Sequence, residues 1–404
     1  MNPINKRIAQ RPSPSGFTLV ELLVVITIIG AIAGLSIPAI GIVMKSVRRS
    51  AMKAELTNIE GAIDNYYTKY GDYPPDFSEW NIVKRHYLKI FPDVASSELT
   101  LLYRLCDDLA DDDANRLTAT TSFSPAVMDR AEVLVWSLGG FSSDPQYPFT
   151  GAGGPLALLD PNGDRTDPMN VEYNPTRNSP EIEFQPERLS IATPAGTAAR
   201  TYANRYSSDD DDDTINLMDP FPNYSLREGA SPIVYFDSRT YAYNATAAVP
   251  SPAGFNGYVR MTSDGALGFD GVRPVFSANP GFVPTPPATY GSASAALTGW
   301  QFENPQTYQL LAPGLDGLFG DMTDNDSNAI PNDAVPVYFQ SNGNMVVANA
   351  AGTVPALPVP NGLLHPSVSR FDVTGVSAAL SKSDNPFRDN MANFISGTFE
   401  DQLP

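Results

Sequence analysis

The chain has 404 residues, a formal net charge of −19 and a single cysteine. That length allows two or three ordinary domains, the acidic balance argues against a phosphate backbone as partner, and one cysteine excludes an intrachain disulfide. The charge is unevenly placed. Residues 1–70 hold 8 Lys/Arg against 4 Asp/Glu, while the remainder holds 18 against 41. Positive charge therefore gathers around the N-terminus, and the acidic bulk suits protein outside the cytoplasm or protein that collects cations.

Residues 1–16 are a short leader carrying Lys6, Arg7 and Arg11 and ending at Gly16. An apolar run follows, with Glu21 near its start. From Leu22 to Met44 no residue is charged, a stretch of 23 residues, against ~20 needed for a helix to cross a bilayer. A carboxylate inside such a helix costs at least ~2.5–3.5 kcal/mol and asks for a partner. A secretory signal peptide has a shorter apolar core and a small-x-small cleavage site after it. Here Ala31-Ile32-Ala33 lies inside the run. A plain anchor leaves Glu21 unexplained, and a lipoprotein signal lacks its cysteine. Lys45, Arg48, Arg49 and Lys53 follow the run, so both flanks are basic and orientation is weakly specified. Insertion from a short cytoplasmic leader puts the acidic bulk outside.

Gly16-Phe17-Thr18-Leu19-Val20-Glu21 resembles the processing motif of type IV prepilins and of the pseudopilins of type II secretion, and the likeness continues through Gly30 to Pro38. It covers about 40 residues, roughly a tenth of the chain. The resemblance implies a peptidase cut between Gly16 and Phe17 on the cytoplasmic face, and methylation of the new Phe17 amine. It further implies that Glu21 pairs with the Phe17 amine of a neighbouring subunit, a fixed ammonium that makes a buried carboxylate tolerable. Gly30 and Gly34 form a G-x-x-x-G pair that lets helices approach closely. Pro38 is expected to kink or loosen the helix.

Beyond the run, Ile40, Val43, Val47, Ala51, Met52, Leu56, Ile59, Ile63, Tyr66 and Tyr70 recur at helical steps of three and four. Gly71 gives a C-terminal stop, with Pro74-Pro75 after it. A helix over 17–70 is ~80 Å long at 1.5 Å per residue, natural for a filament subunit. Tyr66, Tyr67, Tyr70 and Tyr73 read as core beneath a head domain. The segment from Ala62 to Pro75 is similar to the end of the long helix in the major pseudopilin.

Three further helical pieces are predicted: Asp76 to Phe91, Ser97 to Leu109 with Ser97 as N-cap, and Pro125 to Leu138 before Gly139-Gly140. Cys106 reads as a small buried hydrophobe. Residues 139–232 are rich in Pro, Gly, Asn, Asp and Ser and read as long loops with short strands. Ile233–Phe236 is predicted to pair with Tyr241–Tyr243. Val335–Phe339 is predicted to pair with Met345–Ala348 across Asn342-Gly343, a strong hairpin signal. Residues 277–296 and 350–366 read as surface loops.

No nucleophile elbow, phosphate-cradling glycine loop, H-E-x-x-H or C-x-x-C is present in the sequence. His86 and His365 have no zinc-binding spacing. Three acidic clusters stand out. Asp160 to Asp167 places oxygens at alternate positions without the glycine and glutamate spacing of an EF-hand. Asp209 to Asp213 reads as a solvated, self-repelling loop. The third cluster, Pro313 to Asn328, resembles the calcium loop of the major pseudopilin. The resemblance implies Asp316, Asp321, Asp324, Asp326 and Asn328 as ligands, closed by Asp389 ahead of Asn390, Asn393 and Phe394, with calcium as cofactor. About 60 residues separate the two parts.

The resulting expectation is an α+β chain in three parts: a leader over 1–16, a long N-terminal helix over 17–72 with its membrane part at 17–44, and a loop-rich periplasmic head over 73–404 with short helices and a small antiparallel sheet. The expected role is a structural subunit of a pseudopilus or type IV pilus-like filament, serving type II secretion and not an enzyme. Its expected location is the inner membrane, single-pass, before assembly into a periplasmic or cell-surface filament. The expected partners are identical or related subunits, the prepilin peptidase, the inner-membrane assembly platform and the membrane, with no nucleic acid. The competing expectation is an extracytoplasmic binding module or enzyme held at the membrane by this N-terminus.

Overall fold

The computed structural model describes residues 18–106, 128, 130–190, 221–241, 257–259, 271–277, 301–319, 337–341, 345–347 and 389–402, with the side chains of 35–39, 169, 259, 337–339 and 345–347 excepted. Residues divide into two compact units, Met1–Ala51 and Met52–Pro404.

Helix α1 spans Leu19–Tyr70 and includes Pro38 within it. Helical structure continues on both sides of Pro38. Gly71 ends the helix at φ +68°, donating its N–H to the Tyr67 carbonyl at 2.7 Å. Only glycine enters this left-handed region without a Cβ penalty. Among the described residues no helix is long and apolar enough to cross a membrane. The expected single crossing over 17–44 therefore has no support from the described helices.

In the second unit, the predicted apolar stripe is buried. Leu56, Ile59, Ile63 and Tyr66 are sealed from solvent, with Met52 and Tyr70 packed at its edges. Helix α2, Trp80–Ile90, starts later than predicted. Phe77 adopts φ 60°, which ends any helix through it, and the Glu79 carboxylate caps the Asn81 and Ile82 N–H groups. Helix α3 is Ser96–Arg104, and its N-cap is Ala95, not Ser97. Helix α4 is Val133–Leu138, wholly buried. At the centre, the Trp136 indole N–H donates to the Tyr87 hydroxyl at 2.7 Å, and its ring meets Phe77, Phe149 and Phe221 within 5.6 Å. Cys106 is buried, as predicted, with its sulfur on the Phe77 carbonyl.

Among the described residues, nine short strands form four sheets. Strands β1 (Leu156–Leu158) and β2 (Val171–Tyr173) pair antiparallel. Strand β3 (Val234–Asp237) pairs with β6 (Tyr308–Ala312), and β6 with β9 (Met391–Ala392), giving the order β3-β6-β9. Between them come β4 (Tyr258–Val259) and β5 (Gly271–Val272), paired with each other. Strands β7 (Val337–Phe339) and β8 (Met345–Val347) form the predicted hairpin, with Phe339 opposite Met345. Of the first predicted pair, Ala242 and Tyr243 lie outside the described residues. Val234 faces Leu311, 77 positions away in sequence, and the Tyr241 hydroxyl donates to the Asn304 carbonyl. β3 and β6 are both fully buried, so apolar burial, not proximity in sequence, selected the partner.

The expected loop-rich region is held by polar anchors. Arg177 donates to the Val135 and Trp136 carbonyls at the end of α4 and to the Gly140 carbonyl. Burial lowers its pKa to about 10. Glu98 accepts from the Phe149 and Thr150 N–H groups at 2.8 and 3.0 Å, and burial pushes this carboxyl up against those bonds. Lys53 reaches the Ala392 and Ile395 carbonyls, both at 2.8 Å, tying α1 to the C-terminal segment.

Candidate processing and assembly site

Thr18 is the residue before α1, and Glu21 sits three places on. Their side chains are reciprocal. The Glu21 carboxylate accepts from the Thr18 N–H at 2.8 Å and from its hydroxyl at 2.7 Å, and Thr18 Oγ1 accepts from the Glu21 N–H at 3.3 Å. This is a capping box, which satisfies donors that a helix start leaves open. Its sequence signal, Thr-x-x-Glu ahead of an apolar run, was present but was absorbed into the question of Glu21's charge. Every described residue from 18 to 34 is exposed. Ile29 and Ile32 are both 59 % exposed, and Gly30 and Gly34 face open space. Gly16 and Phe17 lie outside the described residues, as does the side chain of Pro38.

Residues 11–37 match the family model of the prokaryotic N-terminal methylation motif. This chain carries the prepilin-type N-terminus. Comparison with curated proteins and with solved structures gives no match. The match covers the leader's end, the processing junction and the first part of α1.

In that second unit, the two halves predicted to close the acidic loop meet. The Asp389 Oδ2 accepts from the Leu315 N–H at 2.6 Å and the Asp316 N–H at 3.3 Å. Asn390 accepts from the Gly314 N–H and donates to the Phe319 carbonyl. Asp316 Oδ1 turns back to the Leu318 N–H at 2.9 Å. The carboxylate sits so close over Gly314 that a Cβ there would lie 2.1 Å from its carbon. Asp321, Asp324, Asp326 and Asn328 lie outside the described residues. Among the described residues no group of three or more His, Cys, Asp or Glu could hold a metal ion.

The Asp160 loop is folded by its own side chains. Asp160 Oδ1 accepts from the Asn162 N–H, Asp164 Oδ1 accepts from the Thr166 N–H and hydroxyl, and Asn170 bridges the Asp160 and Asp164 carbonyls. These Asx turns account for its alternating oxygens. Asp209 to Asp213 lie outside the described residues.

Sequence reasoning missed a polar cluster joining the end of α1 to β3. His86, fully buried, bonds the Tyr66 hydroxyl at 2.7 Å and Asp72 at 3.2 Å. Arg239 spans Asp72 and Asp237. Arg130 pairs with Asp76 at 3.1 Å, and Asp76 also accepts from Thr240. Burial raises the Asp72 carboxyl, but His86, Arg239 and Lys89 outweigh it and hold it at about 2. Burial pushes Asp237 up to about 6 despite Arg239, with Asp76 adding to the rise. No local motif announces such a cluster, because its members come from distant segments. A Tyr-His-Asp chain resembles a nucleophile relay, yet Tyr66 and His86 are 0 % exposed, so no substrate reaches them.

Asp389 serves the turn as an acceptor whether or not a cation is present. Asp389→Ala should therefore lower stability by about 1 kcal/mol, the net worth of hydrogen bonds to donors that water can partly reach. Urea unfolding of the purified protein in chelator measures this. Unchanged stability there would leave the carboxylate without a structural role.

Proposed function

We propose that this protein is a prepilin-type subunit, cut after Gly16, methylated at Phe17, and assembled through α1 into a type IV pilus-like filament that serves type II secretion. The observation carrying this reading is the methylation motif at 11–37, and the exposed apolar surface of α1 supports it. Leu19, Val20 and Ile42 are each more than two-thirds exposed. A surface of that size is costly in water, at ~25 cal/mol per Å², and a lipid phase followed by neighbouring helices would cover it. The 23 uncharged residues are long enough to insert once, which puts the acidic head across the inner membrane in the periplasm. Its partners in this reading are prepilin peptidase, the inner-membrane assembly platform and identical or related subunits.

Glu21 then has two successive roles. In the single chain it caps its own helix. In the filament its carboxylate meets the Phe17 ammonium of a neighbour, the charge pairing that would fix register. Gly30 and Gly34 leave room for a close helix. In this reading the protein acts as structure and not as an enzyme.

The same proposal includes calcium. The donors that fit it are hard oxygens: Asp316 and Asp389 among the described residues, with Asp321, Asp324, Asp326 and Asn328 between them in sequence. Bound calcium would hold the late loop closed.

Mass spectrometry of the protein from its own cells should find Phe17, N-methylated, at the N-terminus. A mature start at Met1 or beyond Ala39 contradicts the processing reading. Glu21→Ala should spare membrane insertion and abolish assembly, read by crosslinking between subunits and by shear fractionation. Normal assembly by that variant would remove Glu21 from the filament contact.

Calcium should raise the melting temperature of the full-length protein in detergent by several degrees over chelator, since a hundredfold excess over Kd adds about 2.7 kcal/mol. Magnesium should substitute poorly, and Asp324→Ala with Asp326→Ala should erase the difference. Equal melting with calcium and with chelator would make the loop a polar turn.

A further inference from the structure

We infer that His86 is a proton-sensitive latch between the end of α1, the turn after it and α2, closed while the ring is neutral and released when it takes a second proton. The geometry fixes the neutral tautomer. Asp72 is ionised and only accepts, so the Nδ1–H donates to it at 3.2 Å. Nε2 is then the acceptor, and the Tyr66 hydroxyl donates to it at 2.7 Å. Each ring nitrogen has the one partner its neutral state allows. Protonation at Nε2 reverses that bond. The Tyr66 hydroxyl must turn and accept, and its hydrogen needs a new acceptor in a site with no exposure.

The surrounding charges have been placed on every side. From α1 come Tyr66 and Tyr70, and from the turn Asp72. From α2 come Tyr87, whose ring stands edge-on to the imidazole at 5.1 Å, and Lys89, whose ammonium holds the Gly71 carbonyl. After β3 comes Arg239, already shared between Asp72 and Asp237, with Asp76 and Arg130 behind it. Asp72 favours an imidazolium; Arg239, Lys89 and burial oppose it. Burial is the largest effect and sets the ring below its ordinary pKa.

The sign follows. A histidine whose folded pKa is depressed stabilises the fold above its unfolded pKa, near 6.5, and that contribution is lost as pH falls through the folded value. Asp237 works the other way, because its raised pKa favours the folded state as pH falls towards about 6. Whole-protein melting mixes the two, so the readout must be local.

The chain has two histidines, so a His365→Gln variant leaves one ring to observe. In the full-length protein in detergent, the His86 ring should titrate at a lower pH than the same ring in denaturant. Amide exchange across Trp80–Ile90, corrected for its intrinsic pH dependence, should accelerate as the ring protonates. Asp72→Asn, a change at a partly exposed site, should move the midpoint lower still. His86→Gln should remove the pH dependence of exchange. A ring midpoint at or above the denatured value, or an unmoved midpoint in Asp72→Asn, overturns the proposal. So does the same acid-dependent opening in His86→Gln.

Discussion

Leu56, Ile59, Ile63 and Tyr66 lie along one stripe of α1, and all four are closed to solvent. The second unit depends on that stripe. Each side chain contributes about 1.5–3 kcal/mol by leaving water, and the surfaces that cover them come from segments far along the chain. Trp136, Phe77, Tyr87 and Phe149 belong to the same buried cluster. A helix that exposes its apolar residues up to Val47 and buries Leu56, Ile59, Ile63 and Tyr66 changes its surroundings along its length, although Tyr67, read as core from the sequence, stays exposed.

Around this apolar centre, charged groups make the joints. Arg177 closes the end of α4, Glu98 holds the Phe149–Thr150 backbone, and Lys53 fastens the C-terminal segment. Each satisfies backbone groups that a long loop would otherwise leave unpaired. The loop-rich head therefore needs neither a large sheet nor a disulfide. The joint at Asp72, Asp76, Arg130 and Arg239 is more demanding, since buried ion pairs repay their desolvation only with good geometry and further bonds. Thr240, Ser78 and the Tyr73 carbonyl supply some of those bonds.

The first unit follows a different logic. Its apolar side chains face outward, its glycines leave space, and its one acidic group is folded onto the helix start. The capping box keeps the Glu21 carboxylate engaged in the single chain. The exposed surface and the engaged charge belong together, since both suit a helix that changes environment between synthesis and assembly.

The processing motif, the long helix, its buried stripe, the Gly71 stop, the buried Cys106 and the β7–β8 hairpin could be read from the sequence. Each rests on neighbours within one or two turns, where periodicity and turn chemistry act directly. The start of α2 was misplaced because the left-handed Phe77 carries no compositional signal. The pairing of β3 with β6 was not legible, because local sequence carries no signal for a strand 77 positions away. The contact of Asp389 with Leu315 and Asp316 was suggested only by resemblance, and the His86 cluster was not suggested at all. Tyr66, Asp72, His86 and Arg239 are ordinary residues in their own segments. Tertiary folding alone brings them together, and it does so where desolvation makes every bond among them count.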